Sequence, residues 1–257
     1  MKVTVCELPD KLGELEEEWQ SLAKHVKKEK SDLLLLPEIP FYPWMADADQ
    51  VDPNIWKEAV LAHEKWESRF NSLEGILICG THPIIKSGRR FNEGFIWKQE
   101  TGSTDVHIKY YLPNEEGFWE TTWFERGEKN FSTIVLNNVC IGFLICTELW
   151  FTEHARAYAK QGIQLLLCPR ASLFSTIDKW ILAGRIAAIM SGAFCLSSNH
   201  RGFSKQGIKF GGTGWIIEPE NGKVLGTTTP EKPFLTLELD LKIADKAKKT
   251  YPRDVLE

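Results

Sequence analysis

Cys146 ends the apolar run Ile141-Gly142-Phe143-Leu144-Ile145 and is followed by Thr147-Glu148 and then a helical pattern. A thiol between a strand end and a helix start lies at a sheet edge. There, backbone N–H groups and the helix dipole favour a thiolate, and the same N–H groups suit an oxyanion. Glu38 has a comparable setting, directly after Leu33-Leu34-Leu35-Leu36-Pro37. A carboxylate beside a hydrophobic strand is suited to general-base work. Lys109, in His107-Ile108-Lys109-Tyr110-Tyr111-Leu112-Pro113, offers a fixed positive charge where an oxyanion develops. Glu120 comes 11 residues later, and orienting that lysine is its functional reading. Taken singly, each has a plainer reading: a core cysteine, a capping or surface glutamate, a snorkelling lysine, a surface acid.

The elements around these residues alternate in type. Residues 3–8 form a short apolar run. Residues 11–30 carry Leu12, Leu15, Trp19, Leu22 and Val26 at spacings of three and four, which predicts an amphipathic helix. The leucines at 33–36 predict a strand buried on both faces. A second helix is expected over 53–72 and a strand over 75–80, with antiparallel strands between 83 and 112. Residues 132–136 and 140–146 read as a hairpin across Asn137-Asn138. Helices over 152–161 and 175–191 alternate with strands over 163–168 and 193–198. A hairpin over 213–226, a strand over 234–241 and a short basic helix complete the chain. This interleaving predicts one α/β domain over residues 1–257. The pattern leaves open whether its strands form one sheet or two stacked sheets.

Composition narrows the function classes. The 257 residues are 43% hydrophobic and 26% charged, which excludes a mainly disordered chain. A net charge of −4 gives no general attraction to nucleic acid or an anionic membrane. No stretch reaches the length of a membrane span. The six cysteines form no Cys-x-x-Cys pair, and the histidines show no metal-ligand spacing, so no metal is expected. The segment 211–214, with glycines at 211, 212 and 214, lacks the context of a phosphate loop. Met1-Lys2-Val3-Thr4-Val5 has no signal-peptide core, and the cysteines read as reduced, so a cytoplasmic location is expected. A cluster of tryptophans near polar groups suits the wall of a small-molecule pocket. Among ten tryptophans, Trp44, Trp119, Trp123 and Trp150 lie near the reactive residues in sequence and are candidate pocket walls. Arg170 follows the buried run at 163–168 and is a candidate anchor for a substrate carboxylate, a structural ion pair being the alternative.

Together, these residues resemble the nitrilase, or carbon–nitrogen hydrolase, superfamily over nearly the whole chain. Leu36-Pro37-Glu38 resembles its glutamate motif and Lys109-Tyr110-Tyr111-Leu112-Pro113 its lysine motif. Gly142-Phe143-Leu144-Ile145-Cys146-Thr147-Glu148 is similar to its nucleophile motif, and Glu120, seven residues before Gly127, matches its second glutamate. The chain departs from the commonest pattern at Thr147-Glu148, where an aromatic and Asp are usual, and at Arg126-Gly127-Glu128, where Pro-Gly-Asp is usual. The resemblance implies a four-layer αββα sandwich, usually dimeric or of higher order. It also implies a cofactor-independent amidase: Cys146 as nucleophile, Glu38 as base, Lys109 and the Thr147 N–H at the oxyanion, Glu120 as the orienting acid. An N-carbamoyl amino-acid amidohydrolase with Arg170 as anchor, a nitrile hydrolase, and a catalytically silent binding protein are the alternatives.

Overall fold

The leucines at 33–36 serve two different cores. Leu33 and Leu35 point to one face of their strand, and Leu34 and Leu36 to the other. That requires cover on both sides, and the computed structural model, which describes residues 1–255, supplies it.

In chain order the strands are β1 (Lys2–Pro9), β2 (Leu33–Leu35), β3 (Leu77–Lys86), β4 (Arg89–Lys98), β5 (Gly102–Ile108), β6 (Ile134–Leu136) and β7 (Val139–Phe143). They continue with β8 (Leu165–Arg170), β9 (Phe194–Phe203), β10 (Lys209–Gly211), β11 (Trp215–Ile217), β12 (Val224–Thr227) and β13 (Phe234–Glu238). The helices are α1 (Leu12–Glu29), α2 (Pro53–Glu67), α3 (Glu120–Trp123), α4 (Thr152–Lys160), α5 (Ile177–Ser191) and α6 (Lys242–Ala247).

One sheet runs β13-β1-β2-β3-β4-β5 and the other β6-β7-β8-β9-β11-β12, with β10 also on β9. β1 joins them. Its first half pairs with β2 and β13, while Glu7 to Pro9 pair with Asn199 to Arg201 of β9. The inner faces meet through Val3, Val5, Leu33 and Leu35 on one side and Ile141, Leu165, Leu167 and Leu196 on the other. Outside the first sheet, α1 packs its Leu15, Trp19, Leu22 and Val26 stripe against Leu34, Leu36 and Ile78. Outside the second, α4 and α5 bring Tyr158, Trp180, Ala183 and Ala187 onto Leu166, Cys168 and Cys195. The layers are therefore α, β, β, α, as the motif resemblance implied.

Asn137 and Asn138 have φ of 50° and 63°, as a tight two-residue hairpin between β6 and β7 requires. Several boundaries differ from the sequence expectation: β7 ends at Phe143, β9 runs on to Phe203 and β13 ends at Glu238. The second helix stops at Glu67, with a separate turn at Phe70–Ser72. β3 does not stop at Gly80 but runs through Pro83 to Lys86. β2 is only three residues long and pairs with Leu77 to Cys79, so Pro83 owes no N–H to a second neighbour.

Candidate active site

The segments following β2, β5, β7 and β8 converge at one end of the sandwich. β2 leads through Leu36 and Pro37 to Glu38, and the Glu38 N–H donates to the Arg170 carbonyl at 3.2 Å. Lys109 directly follows β5, and its own N–H donates to the Asn92 carbonyl at 2.9 Å. Cys146 opens the 3-10 turn Cys146–Trp150 three residues past β7. Its φ of 48° is unusual for a non-glycine residue and marks a strained turn that presents the side chain.

Glu38, Lys109 and Glu120 are completely buried and form one ionic network. Lys109 Nζ donates to Glu38 Oε1 and to Glu120 Oε1, each at 2.7 Å. Asn92 Nδ2 donates to the same Glu38 oxygen at 2.7 Å. The Ala171 peptide then ties nucleophile and glutamate together. Its N–H donates to Glu38 Oε2 at 3.2 Å, and its carbonyl accepts the Cys146 thiol at 3.5 Å.

The electrostatics follow from burial and sign. Burial alone disfavours the Lys109 ammonium, but Glu120 and Glu38 outweigh it and hold the group well above its usual range. Burial pushes the Glu120 carboxyl up, to about 8, with Lys109 pulling the other way. Burial, then the Glu38 charge, pushes the Cys146 thiol well above the ordinary cysteine range despite Lys109. This corrects one sequence expectation: Cys146 is only 3% exposed and rests as a thiol, not as an accessible thiolate. The short 3-10 turn provides less dipole than the full helix expected there.

Cys146, Thr147 and Ala171 reach a cavity of about 460 Å³ whose walls are largely aromatic: Tyr111, Phe118, Trp150, Phe151 and Trp180. Tyr111 stacks on Phe151 at 3.5 Å, and Trp150 tilts against Trp180 at 5.2 Å. Lys179 and Glu115 are its charged lining residues, both exposed.

Other candidates lie elsewhere. Arg170 does not line the cavity. It is 1% exposed and donates to Ser197 Oγ, Ser172 Oγ and the Thr213 carbonyl, with its guanidinium 3.9 Å over the Trp215 ring. The carboxylate-anchor expectation fails on this geometry: Arg170 holds the β8, β9 and β11 region together, through neutral partners instead of an ion pair. Trp119 is half-buried, with its N–H on the Ala46 carbonyl, and is not a wall residue. Trp44 and Trp123 are core, their indoles donating to the Gly117 and Ala48 carbonyls. Of the four tryptophans named from sequence, Trp150 lines the cavity.

Sequence reasoning missed Asn92, Ala171 and the Glu148–His107 pair. Glu148 is fully buried and accepts from the Ile145 N–H, the Tyr110 N–H and His107 Nε2, each at 2.8 Å. It therefore pins the nucleophile turn to the lysine segment. Its place two residues after Cys146 was a visible signal; the partners were not. Away from the site, His82, Glu93 and Asp105 approach one another, and the Lys86 ammonium sits between the two carboxylates.

Comparison with known proteins agrees with the fold. The chain is 22% identical over 174 residues to a glutamine-dependent NAD(+) synthetase of Acinetobacter baylyi, covering 66% of this chain and 31% of that protein. It is 26% identical over 182 residues to an omega-amidase of Mus musculus, covering 68% and 65%. The chain thus spans about a third and just under two thirds of these two relatives. A crystal structure of a carbon–nitrogen hydrolase from Helicobacter pylori matches with a TM-score of 0.86 at 20% identity, covering 98% of this chain and 94% of that one. The family model described as carbon-nitrogen hydrolase matches residues 2–249. With that match over almost its full length, the chain belongs to the carbon–nitrogen hydrolase family, the nitrilase superfamily that its motifs resemble.

Proposed function

We propose that the protein is a cysteine-dependent amidase that hydrolyses a small linear amide to an acid and ammonia through a thioester. The observation that carries this reading is the buried Glu38–Lys109–Glu120 network, joined to Cys146 through the Ala171 peptide.

In the reaction, Glu38 takes the thiol proton as Cys146 Sγ attacks the amide carbon. Moving that proton leaves the net charge of the site unchanged and brings negative charge onto sulfur beside a fixed ammonium. The charge passing to the carbonyl oxygen is met by Lys109 and the Thr147 N–H. Glu38 returns the proton to the leaving nitrogen, ammonia departs, and a thioester remains. Glu38 then deprotonates water, the hydroxide oxygen adds to the acyl carbon, and the thiol is restored as the acid leaves. Glu120 and Asn92 hold Lys109 and Glu38 in position throughout. The aromatic walls favour an apolar or aromatic acyl group. With Arg170 outside the cavity lining, a carbamoyl amino acid loses the anchor that would select it.

The test is ammonia release from a panel of linear amides, carbamoyl compounds and nitriles. Linear amides are expected to turn over, and Cys146→Ala to lower kcat by at least about 10³-fold while remaining folded. Ammonia release from none of the panel, or undiminished release by the alanine variant, would sink the proposal.

A further inference from the structure

The Glu38 main chain is held from behind by a buried pair that the chemistry above does not use. His200, on β9, approaches the Glu38 carbonyl oxygen through Nε2 at 2.6 Å. A carbonyl oxygen only accepts, so Nε2 carries the proton. Burial lowers the pKa of this ring, so the imidazole is neutral and Nδ1 is a bare acceptor. Nδ1 is buried and has no hydrogen-bond partner among the described residues. The atom it faces is Asp10 Oδ1, 3.5 Å away.

Asp10 lies one residue past β1 and is itself buried, with Oδ1 accepting the Trp44 N–H at 2.8 Å. A carboxylate oxygen and a bare imidazole nitrogen repel unless a proton lies between them. Asp10 is the group suited to carry it: burial, with Asp47 adding, pushes its carboxyl up to about 7 despite the Trp44 N–H. The other groups around the pair do not supply that proton. Glu38 is an acid. His63, on α2, is held neutral by burial, near 3, with Nδ1 on the Ala59 carbonyl and Nε2 accepting the Phe41 N–H. Asp47 accepts the Gln206 N–H, with Lys205 beyond it. The Phe210 ring of β10 lies 5.3 Å from the imidazole.

We propose that Asp10 and His200 share one proton and act as a positioning pair that keeps the Glu38 backbone in place, setting an upper pH limit on turnover. The inference rests on Glu38 as the base. The sign follows from Asp10. Its pKa is raised on folding from 3.8 to about 7, so its contribution to stability is complete below 3.8 and is lost progressively as pH rises to about 7. Above that, an ionised Asp10 faces the bare Nδ1, and the hold on the Glu38 carbonyl weakens.

The test compares the native protein with Asp10→Asn, whose side chain is uncharged at every pH, and with His200→Gln, which keeps a donor for the Glu38 carbonyl without a second nitrogen to satisfy. The native kcat/KM is expected to fall above about pH 7, about tenfold per pH unit, whereas Tm is expected to fall between about pH 4 and about pH 7 and to level off above that. Both variants are expected to turn over at about pH 6 and to lack that limb, so either one decides the matter if the other does not fold. Nitrogen NMR of the His200 ring should find Nδ1 unprotonated at about pH 6. Native and variant pH profiles that superimpose, or an imidazolium at His200, overturn the proposal. If the native protein hydrolyses no amide, the amidase reading fails. The NMR signal and the Tm–pH comparison then still decide whether the pair shares a proton.

Discussion

A thiol that rests neutral in a buried site must lose its proton as it attacks. Cys146 therefore depends on Glu38 more than a cysteine activated in advance would. This leads to a labelling prediction. Iodoacetamide, itself a small amide, is expected to alkylate Cys146 of the native protein, with half-exposed Cys140 as an internal reference. In Glu38→Gln the Cys146 rate should fall at least about tenfold, as loss of general-base assistance requires, with Cys140 unchanged. Peptide mass spectrometry reads both sites at once, and equal Cys146 rates in the two proteins would remove Glu38 from the mechanism. The residues that sequence made visible were those with a local setting: Glu38 after four leucines, Cys146 at the end of an apolar run, Lys109 among strand aromatics. Asn92 and Ala171 carry no such mark. Asn92 reaches Glu38 because β4 lies two strands from β2, and Ala171 contributes only backbone atoms, which any residue type supplies. Arg170 misled because a guanidinium after a buried strand looks like a ligand for charge, yet neutral acceptors and two indole rings satisfy it here.

At the scale of elements, the site depends on how the nucleophile turn is fixed. Among the described residues, Glu148 is the one acidic side chain that reaches the main chain of both the Cys146 turn and the lysine segment. Glu148→Ala leaves the Ile145 and Tyr110 N–H groups and His107 Nε2 without their acceptor. Each orphaned buried donor costs about 1–3 kcal/mol, so a loss of about 3 kcal/mol or more is expected. For a chain of this size that lowers Tm by about 6–12 °C. The fall in kcat should exceed the change in KM, because the turn that presents Cys146 shifts. Glu148→Gln keeps one acceptor oxygen and should lose less of both. Calorimetry with steady-state kinetics on the two variants checks this ordering. The elements themselves were largely legible, since the α1 stripe and the continuous strand runs are strong periodic signals. Boundaries were not: β3 passes through Pro83 only because β2 is too short to claim its other edge, a fact of neighbours and not of local sequence.

At the scale of the whole molecule, the sandwich is closed by apolar side chains between its sheets. Leu165 is fully buried there, at the start of β8 and at the opposite end of that strand from Arg170 and Ala171. Leu165→Ala is expected to cost about 2–5 kcal/mol in urea unfolding while leaving turnover per folded molecule unchanged, which separates scaffold from site. Whether the strands form one sheet or two was not legible, because the answer turns on β1 dividing its length between both. That division also has a consequence for synthesis. β1 leaves the ribosome well before its partners: Glu238 stands 236 positions behind Lys2, and the β9 residues that pair with Glu7 to Pro9 begin at Asn199. Through most of translation this apolar strand has β2 on one edge and nothing on the other, an edge of the kind that recruits foreign strands. That edge is therefore open to misassembly until β13 emerges, because α1 covers the outer face of β1 and β2 and leaves the edge itself bare.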